Sequence, residues 1–239
     1  FNNLKKNNID GLIVIGGDGS FTGALKLRDE FNFPVIGIPG TIDNDIYGTS
    51  HTLGYDTALN TVMDAIDKIR DSAISHDRLF FVEVMGRDAG YIALRSGIAI
   101  GAQEILIPEV KTRLDELVDS LKTSKKSGKT SSIIVVAEGY EPDKNVFQIA
   151  DETQLKLPNY QVRVSVLGHI QRGGRPSCFD RVLGTKMGVK AVELLKNGKT
   201  GIMVGTQHGK IVTVPLKKAV SEKTKINKDL LRISKIMNT

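Results

Sequence analysis

The chain has 239 residues, 40% of them apolar and 25% charged, enough to bury one large domain or two small ones, and no apolar run approaches the roughly 18 residues needed to cross a bilayer. A single cysteine, Cys178, rules out an intrachain disulfide and gives no support to a zinc site or a stapled secreted fold, so a soluble protein of the reducing cytoplasm fits best. The formal charge of +6 is carried by scattered lysines without the interleaved aromatics of nucleic-acid modules, which sets nucleic acid and membrane aside and leaves anionic small molecules as partners.

The sequence opens at Phe1, without an initiating Met or a signal-like segment, and we expect a further segment upstream of it. Strand-like runs then recur at 12 to 15, 35 to 38, 79 to 84, 105 to 107, 133 to 137, 162 to 167 and 202 to 204, separated by helical periodicity. That alternation predicts parallel α/β layers. The first run ends in Gly16-Gly17-Asp18-Gly19-Ser20, whose glycines let backbone N–H groups approach phosphate oxygens while a helix starting near Ser20 aims its positive end at them. Asp18 is then placed to hold Mg²⁺. The plainer reading is a tight turn capped by Ser20, since short glycine motifs are weak signals.

The second run, Val35 to Gly40, leads into Thr41-Ile42-Asp43-Asn44-Asp45, at the carboxyl end of a strand where open α/β sheets hold ligands. Asp43 is a candidate base for an attacking hydroxyl, with Thr41 and Asp45 positioning the alcohol; turn-forming Asp and Asn are the alternative. A helix from about Thr52 to Ser75 follows, with Leu59, Val62, Ile66 and Ile69 along one face. The third run ends in Met85-Gly86-Arg87, where a guanidinium can stabilise a transferring phosphoryl group or lie on the surface. Lys122 to Lys129 has the composition of a solvated turn before the strand at 133. After the run at 162 to 167 comes Gly168-His169-Ile170-Gln171-Arg172-Gly173-Gly174-Arg175, whose polar groups suit a phosphorylated sugar; His169 has no Cys or His partners for a metal. A second helix follows Cys178, with Val182, Met187, Val189, Val192 and Leu195 as candidate buried positions and Gly198 as its stop. Cys178 itself is expected to be a small buried or loop residue.

Taken together and in this order, Gly-Gly-Asp-Gly-Ser at 16 to 20, Pro-Gly-Thr-Ile-Asp-Asn-Asp at 39 to 45, Met-Gly-Arg at 85 to 87 and Gly-His-Ile-Gln-Arg-Gly-Gly at 168 to 174 resemble the 6-phosphofructokinase family across nearly the whole chain. The resemblance implies ATP-dependent phosphorylation of fructose 6-phosphate at its 1-hydroxyl, a step of glycolysis, by a fold of two three-layer α/β lobes with mainly parallel sheets. Residues 1–54 and 171–217 are expected in an ATP-binding lobe, and 55–170 with 218–239 in a sugar-phosphate lobe.

Carried over by that resemblance, Asp43 is the general base, Thr41 a hydroxyl-positioning residue and Arg87 the charge stabiliser. Gly17, Asp18, Gly19, Ser20 and Gly23 belong to the ATP site, with Asp18 the Mg²⁺-linked acid. Ile42, Asp45, Met85, Gly86, Glu138, His169 and Arg172 fall to the substrate. Arg78 and Arg163 match arginines that reach it from a neighbouring subunit, which implies a homotetramer. Arg70, Glu104 and Lys129, with Lys125 and Lys126 nearby, match an effector site, although Ser127 and Thr130 stand where basic residues are common. Family members that use pyrophosphate typically carry Asp at the position of Gly19 and Lys at that of Gly40, so both glycines point to ATP. The family's first glycine-rich phosphate loop and a donor-binding arginine are not in this sequence, and the chain by itself is therefore expected to be inactive. Two rivals stand beside this reading: the wider Gly-Gly-Asp-Gly kinases, such as NAD and diacylglycerol kinases, and a noncatalytic sugar-phosphate-binding or regulatory subunit.

Overall fold

The run Val35-Ile36-Gly37-Ile38-Pro39 forms a strand buried along its whole length, as expected of a central strand covered on both faces. The computed structural model describes residues 1–74, 78–126 and 133–237, with only the backbone for 72–74 and 124–126. In chain order the elements are α1 (Asn2–Lys6), β1 (Leu12–Gly16), α2 (Asp18–Phe31), β2 (Val35–Pro39), α3 (Tyr55–Ile74), β3 (Arg78–Val84), α4 (Tyr91–Ala99), β4 (Glu104–Leu106), α5 (Leu114–Lys126), β5 (Ile133–Ala137), α6 (Val146–Lys156), β6 (Gln161–Val166), a 3-10 turn (Gly168–Arg172), α7 (Cys178–Lys196), β7 (Ile202–Gln207), β8 (Lys210–Pro215), α8 (Leu216–Ser221) and α9 (Lys228–Met237). They divide into two compact units, Phe1–Thr57 with Pro176–Lys225, and Ala58–Arg175 with Ile226–Thr239.

The first unit has the sheet order β1-β2-β7-β8, in which β1, β2 and β7 are parallel and β8 runs antiparallel to β7. Alternation along β2 sorts its side chains between two cores. Val35 joins Phe21, Ala24, Met203 and Leu216 beneath α2 and α8, whereas Ile36 and Ile38 join Leu183, Met187, Ala191 and Val204 beneath α7. Gly37 faces the first core, where an added Cβ would stand 2.8 Å from Leu216 and 2.9 Å from Phe21, so the glycine is what lets the aromatic ring approach the strand this closely.

The second unit has the order β4-β5-β3-β6, all parallel. One face is covered by α5 and α6, whose Leu117, Val118, Leu121, Val146 and Ile149 pack with Leu79, Phe81, Ile134 and Val136; α4 contacts β4 and β5 and meets α9.

Several expectations need correction. The Lys122–Lys129 segment is no turn over its first half: α5 continues through Lys126, because lysine is a good helix former; Lys129 lies outside the described residues. In α7, Val182, Val189 and Val192 are exposed and the inward row is Leu183, Met187 and Ala191, four residues apart. Apolar residues occupy both sides of that helix, so periodicity alone could not choose the face. Cys178 opens α7 and is exposed. Strand β8 was not anticipated; it follows a two-residue turn, His208-Gly209, with both residues at positive φ, the geometry that reverses a hairpin without splaying it. By contact, residues 55–57 and 218–225 go with the first unit and 171–175 with the second; α8 packs on α2 and the sheet.

Candidate active site

In the first unit, α2 starts at Asp18, not near Ser20, and its N-cap is Gly17, which offers no side-chain oxygen. The first-turn N–H groups of this 14-residue helix therefore have no side-chain cap. Positive dipole and uncapped amides favour an anion there. Gly19 and Gly23 stand one turn apart, and a Cβ added to either would meet nothing within 4 Å. Glycine inside a helix costs about 1 kcal/mol relative to alanine, and no packing in the unit requires either one; the space suits a ligand lying against the helix. Gly23→Ala is expected to raise stability by roughly 0.5–1 kcal/mol in urea unfolding while raising the KM for ATP; a stabilised variant with unchanged KM would show that the space is not used.

Asp18 is exposed at the helix start, and no group of three or more His, Cys, Asp or Glu among the described residues forms a metal cage. One accessible carboxylate beside an uncapped helix start fits Mg²⁺, which is commonly held by one or two carboxylates together with substrate phosphates and water.

The Thr41–Asp45 loop leaves the carboxyl end of β2 and is fixed from several directions. Asp43 is buried, 8% exposed, and its N–H donates to Thr41 Oγ1 at 3.2 Å. Asn44 takes a left-handed conformation at φ +55. Its Oδ1 accepts the Thr52 N–H at 2.8 Å and its Nδ2 donates to the Ser50 carbonyl at 3.2 Å, while Thr52 Oγ1 donates to the Thr41 carbonyl at 2.6 Å. Thr224 Oγ1 donates to the Asp45 carbonyl, and Thr49 Oγ1 accepts the Thr206 N–H of β7. Asn44 and Thr52 were not singled out as supports, since a bond across eight residues leaves no local pattern.

Behind this loop lies another group that the sequence did not reveal. Asp180, 6% exposed, accepts from Gly54 N–H at 3.1 Å, Thr57 N–H at 2.9 Å and Thr57 Oγ1 at 2.5 Å, thereby capping the start of α3. Ser177 caps α7 through the Asp180 N–H and donates to Asp56 at 2.6 Å.

In the second unit, Met85-Gly86-Arg87 follows β3, the strand between β5 and β6. Gly86 has φ +150 and an added Cβ would stand 2.3 Å from the Ala89 carbonyl oxygen; Arg87 has φ +54 and an exposed side chain. Glu138, after β5, accepts the Gly86 N–H at 3.1 Å and the Arg87 N–H at 2.6 Å through Oε1. His169 and Arg172 are exposed on the 3-10 turn after β6. Arg78 and Arg163 lie on one face of adjacent strands, since Arg78 pairs with Gln161 and Arg163 with Phe80. The Arg163 guanidinium donates to the Val162 carbonyl, and Arg78 Nε is buried with no hydrogen-bond partner among the described residues. Arg70 donates to the Ile100 carbonyl and Glu104 accepts from Ser120 Oγ, so both are already engaged within the fold.

Burial, reinforced by the Glu138 carboxylate, pushes the Glu83 carboxyl above its ordinary 4.5. The folded chain thus holds this proton better than the unfolded chain does, and stability falls as pH rises from about the ordinary value through the raised one. Glu83→Gln is expected to flatten the loss of melting temperature over that interval; an unchanged pH profile would remove Glu83 as its source.

No helix of the described residues is long and apolar enough to cross a membrane. The sequence profile of the phosphofructokinase family matches residues 1–195. The chain is 48% identical over 235 residues to "ATP-dependent 6-phosphofructokinase 2" of Bacteroides thetaiotaomicron, covering 98% of this chain and 72% of that one. It is 53% identical over 232 residues to the ATP-dependent 6-phosphofructokinase of Bacillus cereus, covering 97% and 71%. Among solved structures, phosphofructokinase from Saccharomyces cerevisiae superposes with a TM-score of 0.84 at 32% identity, over 98% of this chain and 34% of that one. With the family profile matching most of its length and relatives about half identical over nearly all of it, the chain belongs to the phosphofructokinase family.

Proposed function

We propose that the protein transfers the γ-phosphoryl group of ATP to the 1-hydroxyl of fructose 6-phosphate, giving fructose 1,6-bisphosphate and ADP. The observation that carries this reading is a buried carboxylate, Asp43, on a loop fixed by Asn44 and Thr52 at the carboxyl end of the central parallel strand β2. Asp43 takes the hydroxyl proton as the sugar oxygen bonds to the γ-phosphorus and the bond to the β-phosphate bridge oxygen breaks. Thr41, Ile42 and Asp45 orient the alcohol, and Arg87 offsets charge on the phosphoryl oxygens. The uncapped start of α2, with Gly17, Gly19, Ser20 and Gly23, receives the ATP phosphates. Asp18 holds Mg²⁺, which when bound neutralises charge on those phosphates.

Met85, Gly86, Glu138, His169 and Arg172 bind the sugar phosphate, although the Glu138 oxygen that accepts the Gly86 and Arg87 amides shapes the turn and leaves its other oxygen for the sugar. Arg78 and Arg163 serve a neighbouring subunit in a cytoplasmic homotetramer, and Arg70, Glu104 and Lys129 belong to an effector site. Gly19 and Gly40 favour ATP: the first leaves open space, and a side chain at the second would meet Ile15 at 2.9 Å. The test is bisphosphate formation by the natural protein with ATP or pyrophosphate as donor. Product with ATP is expected; product with pyrophosphate alone, or with neither, would overturn the reading.

A further inference from the structure

The side chain of Gln171 is 1% exposed, and both ends of its amide are committed to backbone. Oε1 accepts the Met85 N–H at 3.1 Å, and Nε2 donates to the Gly168 carbonyl at 3.0 Å. With Glu138 holding the next two amides, three successive N–H groups of the Met85-Gly86-Arg87 turn are bound by side chains from the loops after the two strands that flank β3. The turn needs outside support. Arg87 sits at φ +54, a conformation unfavourable for a residue with a Cβ, and its carbonyl oxygen lies so near Gly139 that an added Cβ there would stand 2.2 Å away.

From this geometry we infer that Gln171 is a positioning residue for the reaction: it sets the turn carrying His169 and Arg172 in register with the turn carrying Met85, Gly86 and Arg87, so that both address one sugar phosphate. The inference rests on the activity proposed above. A buried residue needed only for packing would be replaced by any apolar side chain of similar volume, whereas this role requires a donor and an acceptor on one planar group. Loss of the amide would leave the Met85 N–H and the Gly168 carbonyl, both on partly buried residues, without these side-chain partners.

The natural enzyme and its Gln171→Met and Gln171→Glu variants separate these roles by steady-state kinetics with each substrate varied. Gln171→Met keeps the volume and loses both bonds; the KM for fructose 6-phosphate is expected to rise about tenfold or more, with the KM for ATP within twofold. Gln171→Glu keeps the acceptor for Met85 but sets a carboxylate oxygen against the Gly168 carbonyl; the same KM rises, and the defect shrinks as the pH is lowered and a carboxylic O–H again donates. A sugar-phosphate KM within twofold of wild type in both variants, or equal losses for both substrates in step with the melting temperature, would overturn the inference. Should the Met variant fail to fold, the Glu variant decides by the same criterion. Absence of turnover in the wild type would instead sink the proposed activity, a result distinct from wild-type turnover with unaffected variants.

Discussion

Asp43→Asn is expected to lower kcat by roughly two to four orders of magnitude with the KM values for ATP and fructose 6-phosphate changed only a few-fold. The substitution keeps the shape of a nearly buried side chain and removes its capacity to take a proton. The loop is held at several points besides that side chain: the Asp43 N–H donates to Thr41, and the neighbouring backbone is bound by Asn44, Thr52 and Thr224. Ground-state binding should therefore survive while the step that needs a base does not. The check is a full kinetic comparison at saturating substrate. A variant with turnover within fivefold of wild type would show that Asp43 is not the base.

The second large effect is structural. Asp180→Ala is expected to cost on the order of 3–5 kcal/mol, read as a lowered urea midpoint with an unchanged denaturant slope. Three donors lose their acceptor at once: the Gly54 and Thr57 amides and the Thr57 hydroxyl. Two of them belong to the start of α3, whose first turn has amides that its own helix cannot satisfy. Thr57 and Ser177 also lie within two residues of the points where the chain leaves and re-enters the first unit, and Thr57 Oγ1 accepts the Ser177 N–H at 3.0 Å. Asp180→Asn, which keeps one acceptor oxygen, should lie between wild type and the alanine variant. A loss below about 1 kcal/mol for Asp180→Ala would show that water replaces the carboxylate and that the cluster does not hold the start of α3.

Local structure was legible in the sequence wherever a motif and its strand lie side by side. Thr41 to Asp45 follows a continuous apolar run, and β2 is indeed buried throughout, because a central parallel strand has no solvated face to encode. The glycine turn after β1 also lies where the sequence placed it, although β1 is a partly buried edge strand and the helix starts at Asp18 since Gly17 itself provides the break. What could not be read was pairing over distance. Asp180 meets Gly54 across 126 residues, and nothing in Cys-Phe-Asp-Arg distinguishes a buried cap from a solvated helix start. Gln171 stood within a quoted motif, yet its task appears only when Met85 is brought beside it from 86 residues away. The outward valines of α7 failed for a related reason: Leu183, Met187 and Ala191 form an equally regular row, and the sheet selects between the two. Strand β8 was hidden because its turn uses His208 at positive φ in place of the Asn or Asp that usually marks such a reversal.

The step proposed is phosphoryl transfer from ATP to one hydroxyl of the sugar, with Asp43 taking the proton. Incubating the natural protein and its Asp43→Asn variant with γ-labelled ATP and fructose 6-phosphate, then locating the label, tests this most directly. Label on the 1-phosphate of fructose 1,6-bisphosphate with wild type, and at most traces with the variant, is the predicted result. Label remaining in ATP, appearing only as inorganic phosphate, or reaching the sugar equally well in the variant would contradict it.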